Sequence, residues 1–301
     1  MKRAAAAALL LFAVCARADY REFLLIPRDP SIETKLRLAA EATLKAYPKL
    51  KADDLAVSLL NVTNPTVIGR GDYRGDAPFY PASVIKIFFM ADVYAAHKEK
   101  VPDAERALKE MIVVSDNDAT AYLVDILSDT AAGPSLEGRA LRRFVDRRRE
   151  INRRFQRLGY ADHVSAMMKP WSFGPYGREL QLLGTNRENR NKLTANACSA
   201  LMLWIVRRHA PGAEAMMALM HRPLAPPRED ENQVKEFIGE ALPTDAQLWS
   251  KAGWTSEVRH DVAYIELPNG KKLILTIFTR GLAGDVTLVP AIARNVLTEL
   301  Q

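Results

Sequence analysis

The sequence predicts an α/β fold of the α+β type, in which an antiparallel sheet built from both chain ends is flanked by helices. A mostly helical subdomain is expected beside it. Three observations lead to this prediction. Strand patterns occur only near the two ends of the chain, the long middle has helical periodicity, and helical segments flank both strand regions. A cleft between two such parts is a natural place for a site.

The first elements are a helix and a strand pair. Apolar residues recur at helical spacing from Glu33 to Tyr47. The segment Leu55 to Val62 reads as a strand, and Val67-Ile68 begins its partner after the turn residues Asn64-Pro65. We therefore predict a helix followed by a hairpin at the start of the sheet.

The middle of the chain is predicted to be helical almost without interruption. This region runs from Pro81 to about His221, with turns near Pro102, at Gly133-Pro134 and in the Gly- and Pro-rich stretch 170–184. We assign it to the helical subdomain, with the predicted boundaries 81–221.

Strands return late in the chain. Val262–Leu267 and Lys272–Phe278 flank Asn269-Gly270, and Asn-Gly is a strong hairpin signal because both residues tolerate positive φ. A last amphipathic helix has apolar residues on one face: Ile292, Val296, Leu297 and Leu300. The sheet subdomain is therefore predicted to combine residues 19–80 with 222–301.

The first 18 residues have the pattern of a signal peptide. Lys2 and Arg3 precede the apolar run Ala4–Val14, and Ala16-Arg17-Ala18 fits a signal-peptidase site. We predict export to the periplasm or the extracellular space, with cleavage after Ala18. The alternative is a lipid anchor on Cys15, but Val14 stands where such signals have a small residue. No stretch reaches the roughly 20 apolar residues of a membrane span, so no stable membrane insertion is expected.

Composition describes a globular protein. The chain has 301 residues, 48% of them hydrophobic, and a formal charge of +6. Without Lys2, Arg3 and Arg17 the chain keeps 39 basic and 36 acidic residues, which is no signature of nucleic-acid binding. Cys198 would then have no cysteine partner, and its apolar neighbours indicate a buried residue. We expect a monomer.

One basic run stands out, from Arg139 to Arg154. Its arginines crowd a predicted helix. A solvated helical face is the simpler interpretation, and contact with an anionic envelope polymer is the alternative.

Three short motifs carry the candidate chemistry. Ser83-Val-Ile-Lys86 places a serine and a lysine on the same face of a helix, where the amine can take the hydroxyl proton. Ser115-Asp116-Asn117 follows, and Lys251-Ala252-Gly253 comes later at the start of a strand pair. Each motif alone could be structural, as a helix cap, a capping turn or an ordinary strand start. Their occurrence together and in this order favours a catalytic site.

These motifs resemble those of class A β-lactamases and penicillin-binding peptidases. The resemblance implies a β-lactamase-like fold and a Ser83 nucleophile, with Lys86 as its proton acceptor. It implies that Ser115 relays a proton to the leaving nitrogen and that Lys251 lies near the substrate carboxylate.

The resemblance also implies substrate-binding positions. Asn117 would hydrogen-bond the substrate amide, and the backbone of Gly253-Trp254 would border the oxyanion hole, which the N–H groups of Ser83 and Trp254 form. Arg259 is the candidate for a second carboxylate contact.

The chain departs from the family pattern at several places. Ala252 replaces a threonine or serine, the interval between the first two motifs is short, and residues 129–154 look like an insertion. The glutamate that activates water for deacylation in class A enzymes has no recognisable motif. Glu179 is the main candidate for that deacylation base, and Glu150 is a second one.

Other candidate residues have simpler interpretations. His260-Asp261 invites comparison with a triad, yet adjacent strand residues point to opposite faces, which favours a structural role. Trp171, Phe173 and Tyr176 could line the cleft as a lid or anchor a loop. The five histidines have no metal-binding spacing, and no phosphate loop occurs, so no metal or cofactor is implied.

The leading hypothesis is a β-lactamase-like serine hydrolase that opens an amide through a Ser83 acyl-enzyme, with β-lactam rings among the candidate substrates. The alternative is a peptidoglycan D,D-carboxypeptidase-like or esterase-like serine hydrolase, which uses the same serine and lysine without that glutamate. A third hypothesis is a non-catalytic peptidoglycan-binding protein. The expected substrate is therefore a small β-lactam or a peptidoglycan-derived molecule.

Overall fold

The structure is a computed structural model that describes residues 19–171, 173–225 and 233–300. The predicted signal peptide lies outside these residues. Within the described part of the chain, no helix is both long and apolar enough to cross a membrane.

In the described residues the strands are, in chain order, β1 Leu55–Asn64, β2 Val67–Tyr73, β3 Val164–Ser165, β4 Lys192–Leu193, β5 His221–Arg222, β6 Gln247–Trp254, β7 Val258–Glu266 and β8 Lys272–Arg280. Six of them form the main sheet, which is antiparallel throughout, in the order β2-β1-β8-β7-β6-β5. The two very short strands β3 and β4 pair separately.

Helices cover both faces of this sheet and form most of the middle of the chain. They are α1 Tyr20–Leu25, α2 Pro30–Ala46, α3 Lys86–Ala95, α4 Ala104–Val113, α5 Asn117–Ser128, α6 Gly138–Arg157, α7 Gly177–Leu183, α8 Ala195–Val206, α9 Ala213–Met220 and α10 Leu288–Glu299. The predicted α+β class and the sheet from both chain ends are therefore confirmed.

Alternation along the strands creates two hydrophobic cores. In β1, Leu55, Val57 and Leu59 belong to the core beneath α2 and α10, whereas Ala56 and Leu60 belong to the core shared with the helical part. All five side chains are buried. The second core connects the sheet to the helices that carry the serine motifs.

Local signals explain the helix and hairpin boundaries. Asp29 caps α2 by accepting a hydrogen bond from Ser31 N–H at 2.8 Å, and Pro30 occupies the first turn. In the last hairpin Gly270 has φ +83°, as the predicted Asn-Gly turn requires.

The predicted strand β7 was too short at its start, because the observed strand begins at Val258 rather than at Val262. Arg259, His260 and Asp261 interrupt the apolar pattern, yet all three are buried in the sheet. Each of the three makes at least one hydrogen bond to another element, which strand periodicity does not report, although Asp261 Oδ1 has no partner among the described residues.

The arginine-rich run forms most of α6. Many of its side chains are solvent-exposed, as the simpler interpretation predicts, but Arg148 is fully buried. Cys198 is a free, fully buried cysteine, and burial raises the pKa of its thiol well above the usual value.

Candidate active site

Ser83 lies in a short 3₁₀-helical turn, Ala82–Ile85, directly before α3. Val84 N–H donates to Pro81 O at 3.1 Å and closes the turn. Ala82 has φ +46°, an unfavourable conformation for a residue with a Cβ. The turn presents Ser83 half-buried at the wall of a cleft.

His260 fixes the backbone that leads into this turn. Its Nε2 is 2.8 Å from Tyr80 O, and its Nδ1 accepts from Thr279 N–H at 3.1 Å. The second contact requires an unprotonated Nδ1, so Nε2–H is the donor to Tyr80. Burial lowers the pKa of His260 to about 4. The imidazole is therefore neutral and structural, and Asp261 accepts instead from Ile238 N–H at 3.1 Å.

Gly253 brings β6 against the turn that carries Ser83. A Cβ at this position would lie 2.6 Å from Ser83 N and 2.7 Å from Val84 N, which is too close for any side chain. Trp254, the next residue, lines the cleft. The close approach places the end of β6 beside the Ser83 amide.

Lys86 is held in a ring of oxygen acceptors. Its Nζ lies 2.6 Å from Ser115 O, 3.2 Å from Ser115 Oγ, 3.3 Å from Asp116 O and 2.8 Å from Asn117 Oδ1. Burial lowers the pKa of Lys86 to about 7, although nearby Asp116 raises it. No hydrogen bond joins its Nζ to Ser83 Oγ in the described residues, and such contacts commonly tighten only when substrate binds.

Ser115 connects the two motif lysines. Its Oγ is 3.2 Å from Lys86 Nζ and 3.0 Å from Lys251 Nζ. Lys251 also donates to Gln233 Oε1 at 2.5 Å and to Ala252 O at 2.6 Å. Burial first, and then the charge of Lys86, lowers the pKa of Lys251 well below its usual value. The hydroxyl is thus flanked by two amines that give up protons readily.

The second motif serves structure and site at once. Asp116 caps α5 through a 2.6 Å hydrogen bond from Ala119 N–H, while Asn117 begins the helix. Ser115 adopts φ +61°, which turns the chain before the cap. The capping interpretation and the catalytic interpretation therefore describe the same turn.

Glu179 and Glu150 are both held by arginines. Glu179 forms a buried two-point ion pair with Arg148, at 2.5 and 3.2 Å. It does not line the cleft that contains Ser83. Glu150 pairs on α6 with Arg153 and Arg157.

The Arg259 side chain is also bound to groups outside the cleft. Its Nε donates to Ala283 O at 3.0 Å, its Nη1 is 3.2 Å from Glu236, and its guanidinium lies over Phe237. Arg259 and Asp261 share one face of β7, opposite to His260. The expected contact with a substrate carboxylate gains no support from this placement.

The cleft has a cationic and aromatic lining. Its described lining residues include no aspartate or glutamate. The charged and aromatic members are Lys86, Lys169, Arg190, Tyr80, Trp171 and Trp254. Of the three predicted lid residues only Trp171 lines the cleft, whereas Phe173 and Tyr176 are 92% and 73% exposed.

Sequence reasoning missed Lys169, Arg190 and Gln233. They occur in loops without a motif, and only their contacts with remote segments reveal them. In the same described residues, no three His, Cys, Asp or Glu side chains come together as a metal site requires.

Comparison with known proteins identifies the family. The sequence profile named Beta-lactamase2, described as the beta-lactamase enzyme family, matches residues 95–300. The chain belongs to this family. The match includes Ser115 and Lys251 but begins after Ser83 and Lys86. No curated protein sequence matches the chain.

Several solved structures have the same fold as this member of the beta-lactamase family. PBP-A is 17% identical with a TM-score of 0.62, over 91% of this chain and 98% of PBP-A. A beta-lactamase from Sphaerobacter thermophilus is 20% identical with a TM-score of 0.59, over 87% and 96%. A class A beta-lactamase from Bacteroides cellulosilyticus is 16% identical with a TM-score of 0.60, over 90% and 99%.

Proposed function

We propose that this protein is a serine hydrolase that opens amide bonds, β-lactam amides among them, through an acyl-enzyme on Ser83. The observation that carries the proposal is the shared position of Lys86 and Lys251 around the Ser115 hydroxyl, with Lys86 also lining the cleft that contains Ser83. Two buried amines with lowered pKa values form a proton-transfer centre beside a nucleophile.

In the proposed acylation, Ser83 Oγ attacks the amide carbonyl carbon and its proton passes to neutral Lys86. The carbonyl oxygen becomes an oxyanion, which backbone N–H groups of Ser83 and Trp254 stabilise. The tight approach of Gly253 to Ser83 supports this arrangement, because it brings the end of β6 to the nucleophile turn.

Collapse of the oxyanion then breaks the carbon–nitrogen bond. The proton held by Lys86 reaches the leaving nitrogen through Ser115, whose Oγ touches both lysines. Lys251 balances negative charge on the leaving side. An acyl ester remains on Ser83, and the amine product departs.

Deacylation separates the candidate functions. Among the described lining residues no carboxylate is available to activate water, and Glu179 is paired with Arg148. This arrangement favours slow release of a β-lactam acyl group. It therefore supports a D,D-carboxypeptidase-like enzyme as the second candidate. PBP-A offers a parallel, since a variant of it forms an acyl-enzyme complex with penicillin G.

The deciding experiment is a time course of intact protein mass after mixing with benzylpenicillin. We expect an adduct with the full mass of the penicillin, which persists for many minutes. Ser83→Ala should abolish it, whereas Ser128→Ala, on a buried serine that does not line the cleft, should retain it. An adduct that appears and vanishes with turnover would indicate an efficient β-lactamase. Absence of any adduct would leave the non-catalytic binding protein.

A further inference from the structure

Arg190 occupies a part of the cleft that the proposed chemistry does not use. The cavity that contains Ser83, Lys86 and Arg190 includes neither Ser115 nor Lys251 in its lining. Since the leaving group must face Ser115, the cavity extends toward the acyl side of the substrate. Arg190 therefore lies where the acyl side chain would bind.

The structure holds Arg190 in place from two sides. Its guanidinium carbon is 3.8 Å from the centre of the Tyr80 ring, a close cation–π contact. The next residue, Asn191, is buried and accepts from Met167 N–H and Met168 N–H at 3.0 and 2.9 Å. This loop is also joined to the segment that leads into the Ser83 turn, because Leu193 and Phe79 exchange hydrogen bonds of 2.9 and 3.0 Å. Arg190 is thus fixed relative to the Ser83 turn.

Arg190 also has hydrogen-bond donors that are available to an anion. Its Nε is buried without a hydrogen-bond partner among the described residues. Within the described residues its ion pair joins Nη1 to Glu257 at 3.9 Å, and the Glu257 side chain is 68% exposed. Such a long, exposed pair is weak. An arginine presents several donors in a planar fork, so a substrate carboxylate can compete for it.

Apart from Lys86, which the proposed chemistry uses, the other cation in the lining of this cleft is Lys169, and it is already neutralised. Its Nζ is 2.5 Å from Asp125 and 3.8 Å from Glu179, which itself pairs with Arg148. These four charges balance one another. Arg190 is consequently the cation of this wall that remains for an incoming anion.

We infer that Arg190 is a specificity residue that selects substrates with a carboxylate on the acyl side chain. The inference rests on the proposed acylation of Ser83 and names its substrate class. Acylating substrates would carry a negative charge on both sides of the scissile amide, or on the acyl side alone. Neutral and cationic acyl side chains would react more slowly.

Three penicillins test this inference, because they differ only in one substituent of the phenylacetyl side chain. Ampicillin carries an ammonium, benzylpenicillin a hydrogen and carbenicillin a carboxylate. We expect the second-order rate of adduct formation to rise in that order, with carbenicillin about tenfold faster than benzylpenicillin. Arg190→Gln should abolish the difference.

Two further variants make the test specific. Arg187→Gln removes the same charge from an exposed arginine of the same loop and should leave the order unchanged. Glu257→Gln removes the competing carboxylate and should increase the preference for carbenicillin.

Each outcome has a separate meaning. Equal rates for the three penicillins, or an order that survives Arg190→Gln, would overturn the assignment of Arg190 while leaving the Ser83 acyl-enzyme intact. No adduct with any of them would overturn the proposed function itself and this inference with it.

Discussion

The pH dependence of acylation tests whether Lys86 is the base. Burial lowers the pKa of its amine from 10.5 to about 7. At pH 7 roughly half of the molecules then hold a neutral Lys86, roughly a thousandfold more than an unperturbed lysine would provide. In the proposed mechanism the neutral amine accepts the Ser83 proton, so the acylation rate should follow this fraction. We expect the rate to rise about tenfold from pH 6 toward pH 8 and to level off above it.

Asp116 offers a variant that moves this midpoint in a defined direction. Its charge raises the pKa of Lys86, against the larger effect of burial. Asp116→Asn keeps an oxygen to cap Ala119 N–H and removes that charge. The midpoint of the rate profile should therefore shift to lower pH. Lys86→Ala should lose the titration together with most of the rate.

The assay is quenched-flow intact mass with benzylpenicillin between pH 5 and 9, within the range where the fold is stable by circular dichroism. A flat profile across this range would refute Lys86 as the base. A midpoint that moves to higher pH in Asp116→Asn would refute the electrostatic account of its pKa.

Three other predictions concern Gly253, His260 and Glu179. Gly253→Ala should slow acylation at least tenfold with little loss of secondary structure, because the new Cβ would meet Ser83 N at 2.6 Å; acylation at the normal rate would contradict the close approach. For His260 the pKa is lowered from 6.5 to about 4, so its contribution to the free energy of unfolding should fall by about 3 kcal/mol as the pH drops through this window. Burial raises the pKa of Asp261 to about 7, which contributes in the opposite direction over the same range, so the difference between the wild type and His260→Gln isolates the histidine. Urea denaturation at pH 7 and pH 4.5 checks this, and His260→Gln, which can keep a donor for the Tyr80 carbonyl, should lose less on acidification. Glu179→Gln should destabilise the protein by about 2 kcal/mol, because it removes the shorter of the two carboxylate contacts of buried Arg148 and leaves it only Asp125 at 3.3 Å. It should leave the lifetime of the penicillin adduct unchanged, and a severalfold longer lifetime would identify Glu179 as the deacylation base after all.

The arginine-rich helix α6 shows why sequence periodicity does not fully predict which charged residues are exposed. Helical periodicity predicts which residues of α6 share a face, and most of its arginines are exposed as expected. Arg148 is different because Glu179, from a segment 31 residues later, meets it in the interior. Ion pairs of this kind depend on the packing of remote segments.

The sequence by itself determined the features that depend on neighbouring residues. The helix spacing of Ser83 and Lys86, the cap at Asp116 and the hairpin at Asn269-Gly270 are local, and a few residues of chain contain all the information. The fold class followed from the same periodicities, because strands at both ends and helices between them leave few ways to form one core.

Only the tertiary structure decided which charged groups face the cleft. Glu179 and Arg259 had plausible positions in the sequence, but each is paired elsewhere, whereas Lys169 and Arg190 line the cleft without any motif. The physical reason is that a buried charged side chain adopts the orientation in which an oppositely charged group compensates it. That group comes from a distant part of the chain.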